Sequence, residues 1–356
     1  MKQKCLCFDA DTISSISSVD EGSYGFWQVF DRCDLEINDF VSNKYTSDIS
    51  DLDYIWIYGY DFNDNRRSQE IENFVSFINE NVKSCKNIVF DLQGEGSFTE
   101  TYLQYFDKFR KQLDLNNYTP KILWNINKPV TYKDYSIFYA KYYEMVYWYK
   151  ANNITNLNFR NEVNRKYFLS FLNGKLRKHR EIMLELVLAN TDNFGNCLIS
   201  NLDKSSKLPY IDVGGWEESK SRYASAESLI RDSYINLVSE SNYTNTDGIF
   251  ITEKSIKPFI YQQIPIFLSA AGTVKHLRKY GFDVFDDIVN HAYDDESDIT
   301  IRCKMILQQL LALKQIDLKH YFESNETRFL HNFNLYQRMI SEIDNIDMAL
   351  KNWILT

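Results

Sequence analysis

The sequence has few of the residues that interrupt regular secondary structure. It contains 12 glycines and 5 prolines among 356 residues, with no internal repeat and no low-complexity tract. Aromatic residues are plentiful instead, at 15% of the chain. A chain with this much apolar side-chain surface is expected to fold rather than to stay disordered. Its length suits two domains.

Long apolar runs and metal-ligand spacings are also missing. No segment approaches the ~20 uninterrupted apolar residues of a membrane helix, and the start, MKQKCLCFDADT, lacks the apolar core of a signal peptide. The six cysteines include no CxxC pair, and the five histidines have no ligand spacing. These absences predict neither a disulfide framework nor a zinc site. The sequence therefore predicts a cytoplasmic protein with reduced thiols and without membrane insertion.

Acidic residues outnumber basic ones over the whole chain, with 49 Asp and Glu against 40 Lys and Arg. The formal net charge is −9 and the isoelectric point is about 5.2. This balance opposes a wide, non-specific contact with nucleic acid or an anionic membrane, because both partners reward Lys and Arg through counterion release. A local basic groove remains compatible with the composition.

The chain does contain an alternation of strand-like and helix-like segments. In the first half, DYIWIY and KNIVFDL flank a segment in which Ile71, Phe74, Val75, Ile78 and Val82 recur at helical spacing. After the Asn-rich residues 150–162 the alternation restarts. Strands separated by helices form parallel βαβ units. The predicted strands of the second half are KYFLSFL, NCLIS, YINLVSE, GIFIT and IPIFLS.

This alternation predicts an α/β fold with two Rossmann-like domains facing a cleft. The predicted domains are residues 1–155 and 156–320, followed by a helical segment, 321–356, that returns to the first domain. Ligands of such domains bind at the carboxyl ends of the strands, so polar residues in those positions are the candidate functional residues.

A basic cluster occupies one of these positions. Residues 166–180, KYFLSFLNGKLRKHR, contain five Lys or Arg residues and no acid. The segment runs from a strand through a polar loop into a helix, where backbone N–H groups and the helix dipole favour a phosphate. A solvated basic turn explains the same residues equally well.

A second polar cluster, Thr252-Glu253-Lys254, follows the apolar run GIFI. At the start of a helix, Lys254 can reach a diphosphate as a point charge, and Glu253 can accept hydrogen bonds from sugar hydroxyls. An ordinary helix cap with charges in its first turn gives the same tripeptide.

Further on, the acidic loop from Tyr293 to Asp298 has two interpretations. It forms a wall of a ligand pocket, with a carboxylate for a sugar hydroxyl or for Arg302, or it caps the next helix through Asp298.

In combination, these motifs resemble the donor site of the fucosyltransferase-like family of glycosyltransferases, which has the GT-B fold. The resemblance is greatest to phage and other viral relatives and covers about residues 165–313. The positions that carry it are Leu172, Asn173, Gly174, Arg177, His179, Arg180, Thr252, Glu253, Lys254, Lys257, Pro258, Gly281, Phe282, Phe285, Tyr293 and Asp294.

The resemblance implies transfer of a sugar from a nucleotide-sugar to a hydroxyl acceptor, with inversion and without a metal or other cofactor. It implies that Arg180 and Lys254 hold the donor diphosphate and that Glu253 contacts the ribose or the sugar. The general base is expected from the first domain, where Asp91 and Glu95 follow a strand-like run. The remaining residues expected to bind the donor are Asn173, Arg177, Lys257, Tyr293 and Asp294.

Two alternatives stay open. The viral relatives suggest a phage enzyme that glycosylates a hydroxylated DNA base in the cytoplasm of a host cell, although the net charge opposes it. A catalytically silent binding or assembly protein would keep the same fold. The acceptor is accordingly a glycan, a protein or modified DNA.

Overall fold

The computed structural model describes residues 3–8, 35–40, 48–58, 68–92, 100–124, 134–139, 158–160, 162–212, 230–244, 249 and 251–355. The chain forms two compact units. The first comprises Met1–Tyr143, Thr246–Gly248 and Glu342–Thr356, and the second comprises Glu144–Asn245 and Ile249–Ser341. Each unit contains a parallel sheet with helices. The predicted α/β fold with two Rossmann-like units is therefore confirmed.

The first unit is built on a parallel sheet with the strand order β2-β1-β3-β4-β5-β6 in the described residues. The sequence analysis did not predict β2. The elements of this unit are β1 (Gln3–Cys7), β2 (Leu35–Asp39), β3 (Asp51–Tyr58), α1 (Ser68–Asn81), β4 (Ser84–Leu92), α2 (Glu100–Lys111), β5 (Thr119–Trp124) and β6 (Ser136–Tyr139).

Apolar side chains of α1 and α2 form the core of the first unit together with the sheet. Phe74 and Ile78 of α1 are completely buried, as their helical spacing predicts. Phe90 of β4 stacks on Phe106 of α2 with 4.1 Å between ring centroids. Burial of such side chains, at roughly 1.5–3 kcal/mol each, attaches the helices to the sheet.

The second unit is built on a parallel sheet with the strand order β10-β9-β7-β8 in the described residues. A 3₁₀ turn, His291–Asp295, precedes its last helices. The remaining elements are β7 (Tyr167–Asn173), α3 (Lys178–Leu188), α4 (Thr191–Phe194), β8 (Cys197–Asn201), β9 (Ser233–Ser239), α5 (Glu253–Ile260), β10 (Ile264–Leu268), α6 (Thr273–Tyr280), α7 (Ile299–Leu313), α8 (Leu318–Ser324) and α9 (Glu326–Leu355).

The order of the strands determines where this sheet can bind a ligand. The chain runs from β7 to β8 on one side and then returns to place β9 on the other side of β7. The strand order therefore reverses between β7 and β9. In open α/β sheets, ligands bind outside the carboxyl ends of the strands at such a reversal. Asn173 ends β7 there, and Ser239 ends β9.

The predicted strand GIFIT is wrong. Among its described residues, Ile249, Ile251 and Thr252 lie outside any strand. The Thr252 N–H donates to Glu240 Oε1 at 3.0 Å, so a side-chain carboxylate accepts the bond that a neighbouring strand would accept. Thr252 instead caps α5, because its hydroxyl accepts the N–H of Lys254.

The last helix, α9, contributes residues to both units. Its residues up to Ser341 belong to the second unit, and those from Glu342 onward belong to the first. Near its end, the Trp353 indole N–H donates to Ser136 Oγ at 2.8 Å, and Lys121 Nζ donates to the Trp353 carbonyl at 2.7 Å. None of the helices in the described ranges is both long enough and apolar enough to cross a membrane.

Candidate functional site

Two arginines connect the carboxyl ends of β7 and β9. Arg180, in the first turn of α3, donates from Nε to the Ser239 hydroxyl at 2.9 Å and from Nη2 to the Ser239 carbonyl at 3.0 Å. Arg177 donates from Nη1 to the Ser241 carbonyl. Both side chains therefore reach from the β7 side to the β9 side of the reversal and carry positive charge across it.

The two arginines differ in burial. Arg180 is 7% exposed and makes a further hydrogen bond from Nη1 to the Lys175 carbonyl at 2.8 Å. Arg177 is exposed. A guanidinium stays charged and presents five donors in a fixed plane. Arg180 is thus held in place by the loop between β7 and α3. Arg177, the other arginine at this edge, is exposed to solvent.

The first turn of α5 brings a second group of charges to this edge. The Glu253 carboxylate is completely buried, and Lys254 Nζ lies 3.0 Å from its Oε1. Lys254 Nζ also donates to the Thr252 hydroxyl at 3.2 Å. Burial raises the pKa of Glu253, but the positive charges of Lys254 and Lys257 more than offset this effect, so the pKa lies below its ordinary value. Glu253 is therefore ionised at neutral pH.

Lys257 lies one turn further along α5 and is half-buried. Burial lowers the pKa of its ammonium group to about 8, although the negative charge of Glu253 acts in the opposite direction. The residue is thus mostly protonated at pH 7 and loses its proton under mildly alkaline conditions. An anion bound nearby would raise the pKa again.

Glu240, which the sequence analysis missed, joins the two charged groups. It directly follows β9, and its side chain is completely buried. Its carboxylate accepts the Thr252 N–H at 3.0 Å, the Thr252 hydroxyl at 2.8 Å and the Ser255 hydroxyl at 2.6 Å. Its backbone carbonyl accepts from His179 Nε2 at 2.9 Å. The signal available in the sequence was an acidic residue immediately after a predicted strand.

Several buried polar side chains at this edge have an atom without a hydrogen-bond partner among the described residues, and two of them lie at the end of β7 or in the first turn of α3. One is His179, whose Nδ1 is free of such a bond and whose ring stacks on Tyr243 with 4.3 Å between centroids. Burial and the charges of nearby arginines lower the pKa of His179 to about 3, so the imidazole is neutral. The other is Asn173, which is 1% exposed and whose Oδ1 accepts no bond from the described part of the chain.

The predicted donor residues Tyr293 and Asp294 lie in the 3₁₀ turn, and Asp294 contacts the start of α6. The Asp294 carboxylate accepts the N–H groups of Val274 and Lys275 at 3.0 and 3.1 Å, and burial raises its pKa. The Tyr293 hydroxyl lies 2.8 Å from His291 Nδ1. Helix capping and packing account for these contacts. The first turn of α6 is thus already supplied with a carboxylate.

The rest of the acidic loop caps a helix, as one of its two interpretations predicts. Asp298 accepts the N–H groups of Thr300 and Ile301 and begins α7. Arg302 is 2% exposed and donates to backbone carbonyls, including that of Glu296 at 2.7 Å. The prediction that a carboxylate of this loop pairs with Arg302 is therefore wrong, because the described acceptors of the Arg302 guanidinium are main-chain carbonyl oxygens.

The predicted base residues belong to the first unit. Asp91 is the next-to-last residue of β4, where its backbone pairs with Tyr58 and Leu123. It thus lies at the carboxyl end of a parallel strand, as the sequence predicts. Glu95 lies outside the described residues.

The chain matches no known protein family and no curated protein. Its structure is similar to that of an alpha1,3-fucosyltransferase. The crystal structure of that enzyme with GDP-fucose aligns with 97% of this chain and 90% of that chain, at 9% sequence identity and a TM-score of 0.45.

Proposed function

We propose that this protein is a glycosyltransferase whose second unit binds a nucleotide-sugar donor at the carboxyl edge of its sheet. The observation that carries the proposal is the pair Arg177 and Arg180, which bridge the ends of β7 and β9 where the strand order reverses. That position is the one at which open α/β sheets bind ligands. Arg177, Arg180 and Lys254, three of the positions that carry the resemblance to fucosyltransferase-like enzymes, lie at the same edge.

The placement of these cations supports an anionic ligand. Arg180 lies in the first turn of α3 and Lys254 in the first turn of α5. The start of a helix carries partial positive charge, so cations in excess of the nearby carboxylates are unfavourable there without a further anion. A diphosphate relieves this repulsion and accepts charge-assisted hydrogen bonds. A nucleotide-sugar carries such a group between its nucleoside and its sugar.

Within this proposal the site residues have separate roles. Arg177, Arg180 and Lys254 bind the diphosphate, and Lys257 adds positive charge from the next turn of α5. Glu253 orients the Lys254 ammonium group and accepts a hydrogen bond from a ribose or sugar hydroxyl. Further roles follow from position: Asn173 offers an amide oxygen to the donor, and Tyr293 and Asp294 support the pocket through the start of α6.

In the proposed reaction, positive side chains instead of a metal ion stabilise the negative charge of the leaving diphosphate. The transfer we propose is inverting. It needs a base that takes the proton of the acceptor hydroxyl, and Asp91 and Glu95 are the candidates.

Titration calorimetry with GDP, UDP and CDP tests the donor site. We expect at least one of them to bind, and Lys254→Ala to weaken that binding about 10-fold or more, since a hydrogen bond to a charged group contributes roughly 1.5–3 kcal/mol. Lys166→Ala is the matched control, because Lys166 belongs to the same basic segment but precedes β7 at the opposite edge of the sheet.

Two results would contradict the proposal. One is the absence of binding by all three nucleotides, and the other is an equal loss of affinity in the Lys166 control.

A second assay separates an enzyme from a silent binding protein. An active glycosyltransferase slowly hydrolyses its nucleotide-sugar without an acceptor, whereas binding without any hydrolysis would favour a role in recognition or assembly.

A further inference from the structure

The carboxylate of Glu240 is buried and accepts its described hydrogen bonds from neutral donors, while the positive charge of Lys257 acts on it from a distance. The side chain is completely buried directly after β9. Removing a carboxylate from water is costly, and the protein must supply hydrogen bonds in return. Its three described bonds come from the Thr252 N–H, the Thr252 hydroxyl and the Ser255 hydroxyl, at 2.6–3.0 Å. Such an arrangement needs a specific structural reason.

All three donors belong to the beginning of α5. Thr252 is the cap residue of the helix and Ser255 lies in its first turn, on either side of Glu253 and Lys254. The position of the Glu240 side chain therefore determines where the first turn of α5 begins. A shift of this turn would move the Lys254 ammonium group with it.

The backbone around Glu240 is fixed by α3. His179 Nε2 donates to the Glu240 carbonyl at 2.9 Å. Arg180 and Arg177 bind the carbonyls of the residues immediately before and after it. The main chain of Glu240 thus holds the basic start of α3, while its side chain holds the basic start of α5.

We propose that Glu240 is a positioning residue that sets the distance between the arginines of α3 and the lysines of α5, so that both groups reach one diphosphate. This inference rests on the proposed function of the site. It adds a residue that touches neither the donor nor the acceptor and acts through Thr252 and Ser255. The length of its side chain matters more than its charge.

Two substitutions of Glu240 separate length from charge. Glu240→Asp keeps the charge but shortens the side chain by about 1.5 Å, one carbon–carbon bond. We expect it to weaken binding of the nucleoside diphosphate by about 10-fold to 100-fold, because misplacement by about 1 Å has effects of this size. Glu240→Gln keeps the length, and its amide oxygen can still accept the Thr252 N–H and the Ser255 hydroxyl. The Thr252 hydroxyl can rotate to accept from the amide nitrogen in place of one of its two bonds from Lys254. This variant should bind within about 3-fold of the wild type.

A matched pair of hydroxyl deletions controls for loss of stability. Ser255→Ala removes one bond to Glu240, and Ser233→Ala removes a buried hydroxyl at the other end of β9, where it donates to the Ile230 carbonyl at 2.8 Å. Each change should lower the midpoint of thermal unfolding to a similar degree. Only Ser255→Ala should also reduce nucleotide affinity, by about 3-fold to 10-fold.

The outcomes distinguish this inference from the proposed function. If the wild-type protein binds no nucleoside diphosphate, the proposed function fails. If it does bind one and Glu240→Asp binds equally well, or if Glu240→Gln is the weaker binder of the two, the positioning role is overturned. Should Glu240→Asp fail to fold, the Ser255→Ala and Ser233→Ala pair decides, and equal affinities in that pair would refute the role.

Discussion

The two edges of the second sheet both carry positive side chains, and Lys314 at the amino edge lies at the opposite kind of helix end from Arg180 and Lys254 at the carboxyl edge. At the carboxyl edge, Arg180 and Lys254 lie at the starts of α3 and α5. At the amino edge, a pocket of about 350 Å³ is lined by residues that include Lys166, Lys314 and Lys319. The protein therefore offers two basic surfaces on one sheet, in a chain whose net charge is negative.

The helix ends indicate which of these two basic surfaces is suited to bind an anionic ligand. Lys314 follows α7 and donates to the carbonyl of Phe194, the last residue of α4, at 2.8 Å. Cations are favourable at helix C-termini, so the protein itself supplies the partner.

At helix N-termini, positive charges are unfavourable unless an anion lies close. The Glu253 carboxylate is such an anion at the start of α5, whereas the start of α3 carries Arg177, Lys178 and Arg180 with one acid, Glu181, in its first turn. Positive charge alone thus does not identify a phosphate site, whereas an excess of cations over acids at a helix start indicates one.

Replacement of the two buried arginines tests this comparison with the largest expected effects. Arg165 at the amino edge and Arg180 at the carboxyl edge both donate to backbone carbonyls. Replacing either with Met removes these charged donors from buried or half-buried carbonyls, although the Ser233 carbonyl keeps a bond from Gln263. We expect the free energy of unfolding in urea to fall by about 2–4 kcal/mol in both variants. Only Arg180→Met should lose nucleotide affinity, by about 10-fold or more in calorimetry. An equal loss in Arg165→Met would remove the distinction between the edges.

The second prediction concerns pH at the carboxyl edge. Burial lowers the pKa of Lys257 to about 8, and a bound diphosphate raises it. Affinity for the nucleotide should therefore fall as pH rises above about 8, by up to about 10-fold per unit. Stability without ligand should change in the opposite direction. The unfolded chain keeps this proton up to pH ~10.4, so between these values it binds more protons than the folded chain, and this contribution to stability rises with pH.

Lys257→Arg is the control for this pH dependence, because its guanidinium stays protonated throughout the range. Calorimetry of both proteins between pH 7 and pH 9.5 gives the comparison. If affinity in the arginine variant falls as steeply as in the wild type, another group is responsible for the titration.

The smallest expected effect is at the amino edge. Lys314→Met removes the bond to the Phe194 carbonyl and the ammonium group that lies 5.0 Å from the Phe168 ring centroid. The free energy of unfolding should decrease by about 0.5–1 kcal/mol, with no change in nucleotide affinity. Lys314→Arg should restore most of the stability. A nucleotide that binds more weakly to Lys314→Met would show that the amino edge takes part in binding.

Local patterns in the sequence predicted most of the described elements. The spacing of Phe74 and Ile78 predicted α1, because both residues must face the same sheet. The run IPIFL predicted β10, whose residues are all buried, as expected for a parallel strand covered on both faces. The strand predicted at GIFIT is wrong because Glu240, a distant residue in sequence, accepts the Thr252 N–H.

The candidate site could be predicted only in part for the same reason. Arg177 and Arg180 were found because they follow a strand and begin a helix, and Lys254 because it begins a helix, and that information is local. Glu240 was missed because one acidic residue after a strand is an ordinary feature of a sequence. Its importance comes from donors twelve and fifteen positions away.

The sequence by itself determined the alternation of strands and helices and the basic character of two short segments, since periodicity and charge are properties of neighbouring residues. The tertiary structure decided which of these charges meet. Arg180 binds Ser239, 59 positions away, only because β9 returns to pair with β7. Strand order depends on packing across the whole sheet, and no local sequence pattern determines it. That order places both groups of cations at one edge and leaves Lys314 at the other, where it donates to the Phe194 carbonyl at the end of a helix.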